Sequence, residues 1–170
     1  MINRIGHKAF AGCVKLLDFS SADTVSEQIW GNRIFEGCKN LGPVFIIPEY
    51  VTKTDEGIFY GCTSLEEIRS SFLGAKMTTY VPLSTSNYDY TLDSWFAFYD
   101  IEGSLNISKS PKLKKVCITK DTILSQGAFS NWIGLQWIQL PRNITNLPSL
   151  AFSNCSSLVC VSDDLVRDED

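Results

Sequence analysis

The chain has one histidine, His7, in 170 residues. Catalysis by a Ser–His or Cys–His pair would depend on that single ring, and a histidine metal site would lack a second imidazole. No run approaches the roughly 18 apolar residues of a membrane-spanning helix. Residues 1–10, Met-Ile-Asn-Arg-Ile-Gly-His-Lys-Ala-Phe, lack the apolar stretch of an export signal, so no export address is expected in this chain. No Cys-x-x-Cys pair and no glycine-rich phosphate loop occur. The adjacent acids Glu66–Glu67 and Asp163–Asp164 would face opposite ways in a strand, so they make no acid/base pair. With a net charge of −4, nucleic acid is not the expected partner. A 44% hydrophobic and 20% charged composition belongs to a folded chain with a core.

What the sequence does have is a recurring phrase. It reads Ala-Phe-Ala-Gly-Cys-Val-Lys-Leu at 9–16, Ile-Phe-Glu-Gly-Cys-Lys-Asn-Leu at 34–41 and Ile-Phe-Tyr-Gly-Cys-Thr-Ser-Leu at 58–65. It returns as Ala-Phe-Ser-Asn-Trp-Ile-Gly-Leu at 128–135 and Ala-Phe-Ser-Asn-Cys-Ser-Ser-Leu at 151–158. The phrase-ending leucines are Leu16, Leu41, Leu65, Leu113, Leu135 and Leu158, at steps of 25, 24, 48, 22 and 23 residues. Since 48 is twice 24, the spacing predicts a hidden repeat ending near Asp89, with Leu83 in its phenylalanine place. Ile107 takes that place before Leu113, giving about seven coils with 70–107 degenerate. After each leucine, apolar residues at +3 and often +5 alternate with polar ones, which is strand periodicity. Pro48 and Pro141 then end two of the strands. Such a unit buries its apolar side chains only against stacked copies, so 1–170 should form one domain.

The phrase Ala-Phe-x-x-Cys-x-x-Leu-x-x-Ile-x-(Leu/Ile)-Pro-x-x-(Val/Ile)-Thr, clearest at 128–145 and 35–68, resembles the BspA-like, or Treponema-type, leucine-rich repeat family. The resemblance implies an α/β leucine-rich-repeat solenoid, with a single curved parallel β-sheet on one face and turns and short helices on the other. It also implies a non-enzymatic binding module with no catalytic residues and no cofactor. Members include surface proteins of bacteria and parasitic protists linked to adhesion, so a cell-surface or secreted location and host or cell adhesion are what the family suggests. The competing expectation is an intracellular scaffold repeat that mediates protein–protein interaction.

Cys13, Cys38, Cys62 and Cys155 share one register, where Trp132 and Ser110 also occur. They should line an inward ladder as reduced, apolar fillers, with no metal site. The outward strand places are Asp18 and Ser20, Pro43 and Phe45, Glu67 and Arg69, Lys115 and Cys117, Trp137 and Gln139, Cys160 and Ser162. Of these, Phe45, Glu67, Arg69, Lys115, Trp137 and Gln139 are the candidate partner-binding residues, since exposed aromatic and arginine side chains anchor interfaces. Tyr88 and Tyr90 join them from the aromatic segment 80–99, read either as a recognition loop or as rings filling the place of a lost phrase. Lys109, Lys112, Lys114, Lys115 and Lys120 form a basic strip, expected to be a solvated face. The sequon at Asn154 falls inside the repeat phrase and should be a turn residue. Neither end shows a cap beyond the acidic tail 163–170, so either a longer array or a homodimer, end-to-end or edge-paired, is expected.

Overall fold

Stacked phrases organise the molecule. The computed structural model describes residues 2–20, 27–75, 91–99, 102, 104–121 and 123–163. Its elements in chain order are β1 (Arg4–Ile5), β2 (Gln28–Trp30), β3 (Val44–Ile46), β4 (Val51–Thr54), β5 (Glu67–Ser70), α1 (Asp93–Phe96), β6 (Ala97–Tyr99), β7 (Leu105–Ile107), β8 (Lys115–Ile118), β9 (Trp137–Gln139) and β10 (Cys160–Ser162). The strands that follow the leucines form one five-stranded parallel sheet, in the order β10-β9-β8-β5-β3. A smaller parallel sheet, β1-β2-β4, flanks the first coils, and β6 and β7 form an antiparallel hairpin. Among the described residues α1 is the only helix, so the side opposite the large sheet is built almost wholly of turns.

The leucine line is as expected. Leu41, Leu65, Leu113 and Leu135 are buried one above another, and Leu16 and Leu158 are half-buried at the two ends. The inward strand positions Phe45, Ile68, Val116 and Ile138 are buried beside them, each apolar burial contributing about 1.5–3 kcal/mol. Phe10, Phe35 and Phe59 stack face to face, with centroids 5.7 and 6.1 Å apart, and Phe129 stacks on Phe152 at 5.5 Å. Two left-handed residues per phrase bend the chain around these rings. Lys8, Arg33, Gly57, Gly127 and Leu150 lie two places before the phenylalanine, and Gly12, Gly37, Gly61, Asn131 and Asn154 two places after it. Glycine and asparagine accept this conformation most readily, which explains their recurrence after the phrase phenylalanine. Asn154 is thus a turn residue, its amide donating to the Asn131 side chain at 3.0 Å.

The sheet corrects the coil count from seven to six. β5 pairs directly with β8, Glu67 opposite Lys115 and Ser70 opposite Ile118, which leaves no strand between them for a hidden repeat. The 48-residue step holds one coil and is interrupted at two places. At the first, residues 76–90 lie outside the described residues, but the residues on either side of them are pinned together. The amide of Ala75 donates to the Ser94 hydroxyl, and a Cβ on Gly74 would lie 2.4 Å from the Thr91 carbonyl oxygen. The second is the hairpin 97–107, closed where the Ser108 amide donates to the Phe96 carbonyl at 2.9 Å. Taking the 15 residues of 76–90 and the 11 of 97–107 from 48 leaves 22, the step from Leu113 to Leu135. Phe96, and neither Leu83 nor Ile107, is therefore the fourth phrase phenylalanine. The Phe59 amide donates to the carbonyl before it, that of Trp95, as the Phe35 amide does to Ile58.

Candidate protein-binding face

Pleating puts alternate residues of the five-stranded sheet on its outer side. Register then assembles two columns across the strands. One runs Val44, Glu67, Lys115, Trp137, Cys160, and the other Ile46, Arg69, Cys117, Gln139, Ser162. Five of the expected residues, Glu67, Arg69, Lys115, Trp137 and Gln139, thus share one surface. Phe45 does not. It pairs with inward Ile68 and is fully buried between Phe35 and Phe59. The reason is one extra residue: Gly42–Pro43 lengthens the entry to β3, so its inward place falls at +4 after Leu41. Gly42 has φ 126°, and a Cβ there would meet the Ser64 carbonyl oxygen at 2.8 Å. The outward side chains of β3 are Val44 and Ile46, 43% and 56% exposed, which counting from the leucine missed. Pro43, unable to donate in a ladder, is the sequence signal for the longer entry.

Glu67 joins the charged side chains of the face. Its Oε1 accepts from Arg69 Nε at 2.6 Å, and Lys115 Nζ lies 3.4 Å away. Cys117 Sγ approaches the same oxygen at 3.9 Å, and Cys117 is buried although its column faces outward. Beyond Lys115 stands Trp137, 49% exposed. The face therefore offers an aliphatic edge, a charged centre with one more cation than anions, and an aromatic ring. Tyr88 and Tyr90 lie outside the described residues.

Several other groups singled out by sequence have structural partners. Cys38, Cys62 and Cys155 donate their thiols to the carbonyls of Phe10, Phe35 and Phe129, each in the preceding coil. Burial pushes all three thiols above the ordinary range, Cys62 furthest, which leaves them protonated and inert. Cys13, by contrast, is exposed at the open first coil. The basic strip is partly neutralised: Lys109 bonds Asp93 at 2.7 Å and lies over the Trp132 ring, and Lys120 bonds Glu49 at 2.6 Å. The hairpin lays Phe98 against Tyr60 and under the Arg33 guanidinium, 3.6 Å from the ring centroid. Among the described residues no group of three acidic, cysteine or histidine side chains is placed to hold a metal, and no helix is long and apolar enough to cross a membrane.

In comparison with protein families, residues 1–86 and 103–162 match the BspA type leucine rich repeat region in six copies. The count agrees with the six coils, and the unmatched stretch holds most of the hairpin. No curated protein and no solved structure matched the chain.

Proposed function

The chain belongs to the BspA-type leucine-rich repeat family, and from that membership we propose a non-enzymatic protein-binding module that acts at a cell surface, in adhesion to another cell or a host. The repeat supports a protein-interaction role in general; the surface setting is the finer part of the reading. One observation carries it: Trp137 stands half-exposed on a regular sheet beside the Glu67–Arg69–Lys115 cluster, with no neighbouring ring stacked on it among the described residues. A rigid aromatic beside paired charges, rimmed by Val44 and Ile46, has the chemistry of an interface anchor. The test is capture of solubilised surface proteins on the immobilised chain and on two variants. Trp137→Ala and Arg69→Ala should each lose the same retained proteins, while the turn-side control Asn131→Gly keeps them. Trp137→Ala should change unfolding free energy by no more than about 1 kcal/mol. Unchanged capture by both face variants would remove the sheet face from consideration.

The thiols favour a second reading, an intracellular scaffold. Cys38, Cys62 and Cys155 serve as hydrogen-bond donors between coils, a role that oxidation would abolish. Titration of the native protein isolated from its own cells separates the two: six free thiols and no glycan on the sequons Asn106-Ile-Ser108, Asn143-Ile-Thr145 and Asn154-Cys-Ser156 favour the scaffold.

A further inference from the structure

The turn-side ladder has a direction. At three places in each plain phrase, N–H groups donate toward the following coil. Lys8, Phe10 and Gly12 donate to the carbonyls of Asn32, Ile34 and Glu36, and Gly127, Phe129 and Asn131 to those of Ser149, Ala151 and Ser153. At the sixth coil the equivalent donors, the amides of Leu150, Phe152 and Asn154, have no acceptor among the described residues. At the first coil the equivalent acceptors, the carbonyls of His7, Ala9 and Ala11, have no donor among the described residues. The first and sixth coils of the chain thus hold the two halves of the bond set that joins its coils.

Other features match in the same register. The Cys13 thiol is exposed at the first coil, whereas its counterparts each reach a phenylalanine carbonyl of the preceding coil. The Phe152 carbonyl, in the last coil, is the corresponding acceptor. Phe10 and Phe152 are both half-buried where Phe35, Phe59 and Phe129 are buried, and each stacks on one phrase ring only, with Phe19 tilted against Phe10 at 5.0 Å. Val161 is 43% exposed at the position where Ile68, Val116 and Ile138 are buried. The ends also differ in charge: Arg4 and Lys15 lie at the first coil, and five of the last eight residues, 163–170, are acidic.

We propose that the solenoid binds a second copy of itself head to tail, the sixth coil of one chain docking on the first coil of the next through these amides and carbonyls. The contact joins two different surfaces, so each added chain presents a fresh end, and assembly continues into a filament or a ring. The sheet face used in the proposed function stays open throughout, so neither reading depends on the other.

Sedimentation velocity on the whole chain over a range of concentrations tests this, with two end-blocking variants. Cys13→Glu places a charge at the first coil and Val161→Glu at the sixth, both at exposed sites, and circular dichroism checks that each variant folds. The unaltered chain should form species beyond two chains as concentration rises. Each variant alone should assemble no further than a monomer. Mixed in equal amounts they should form two-chain species and stop there, because each still offers one intact end. A chain that stays monomeric, or stops at dimers, overturns the proposal. If the monomer assembles only after residues 164–170 are removed, the proposal also fails, and the chain's own tail is then the occupant of the sixth-coil end.

Discussion

Coils two and three carry the repeat in its plain form, and coil four carries it opened twice. In the plain part, Phe10, Phe35 and Phe59 stack within 12° of parallel. At the fourth coil Phe96 meets Phe59 at 42°, and Ser110, in the cysteine place, turns its hydroxyl to the Leu65 carbonyl. On the sheet side nothing marks the break: β5 and β8 pair without a shift. The difference shows which side of the coil fixes register. Sheet strands exchange hydrogen bonds residue by residue over buried Ile68 and Val116, so a slip there would turn an apolar row outward. The turn side is a series of exposed corners, and a corner can be opened if its two flanks are tied together.

Four changes would break or sharpen that contrast. The largest effect is expected from Phe59→Ala at the junction, where the ring touches Phe35, Phe45, Trp95 and Phe96. It should cost about 3–5 kcal/mol in urea unfolding. Phe152→Ala, at the half-buried end of the stack, should cost clearly less. Next is Gly74→Ala, which puts a Cβ against the Thr91 carbonyl at φ 72°. Left-handed strain and overpacking together should cost about 2–3 kcal/mol. Gly61→Ala has the strain with only ordinary contacts, 3.4 Å to Gly37, and should cost about 1 kcal/mol. An equal cost for the two would show that the Gly74–Thr91 tie does nothing. Third, replacing 97–107 by two glycines should leave unfolding cooperative and lower stability by about 1 kcal/mol, since Phe96 and Ser108 are already bonded.

The smallest effect concerns Glu36. Burial alone would raise its carboxyl, but hydrogen bonds from Arg33 and Lys8, with their charges, hold it below its ordinary value. A carboxyl held low in the folded state contributes stability that is fully present above its unfolded pKa and lost as pH falls through the folded one. Melting temperature should therefore fall with acidification below about pH 4.5, and Glu36→Gln should flatten that fall slightly. Removing the hairpin takes Phe98 from the Arg33 guanidinium and tests whether the fourth coil helps hold that cation in place.

Much of this was legible in the chain. Leucines and phenylalanines at steps of 22–25 residues can be buried together only by stacking, and the cysteine register followed from the same count. The hidden repeat was a coincidence of lengths, because one coil, the hairpin 97–107 and the 15 residues of 76–90 happen to sum to two periods. A sequence shows spacing but not which residues touch, and only the closures at Gly74–Thr91 and Phe96–Ser108 distinguish a lost coil from an opened one. The clue lay in Trp95-Phe96, which opens a phrase, and Ser110-Pro-Lys-Leu113, which closes it after the interruption. Phe45 failed for a related reason: one residue inserted at Gly42–Pro43 reverses the facing of β3 relative to the leucine count. Glu67, Arg69, Lys115, Trp137 and Gln139, whose strands keep the leucine count, lie in the outward columns where that count put them.

The waist at Gly74 and Thr91 has a consequence for what the molecule can be made to carry. Loop-closure entropy grows only with the logarithm of length, so a passage spliced between residues 75 and 91 would cost only about 2 kcal/mol more at fifty residues than at five. Both of its ends would stay moored to a rigid frame. The fourth coil is in that sense a socket, and a foreign epitope set into it should be displayed without retuning the scaffold on either side.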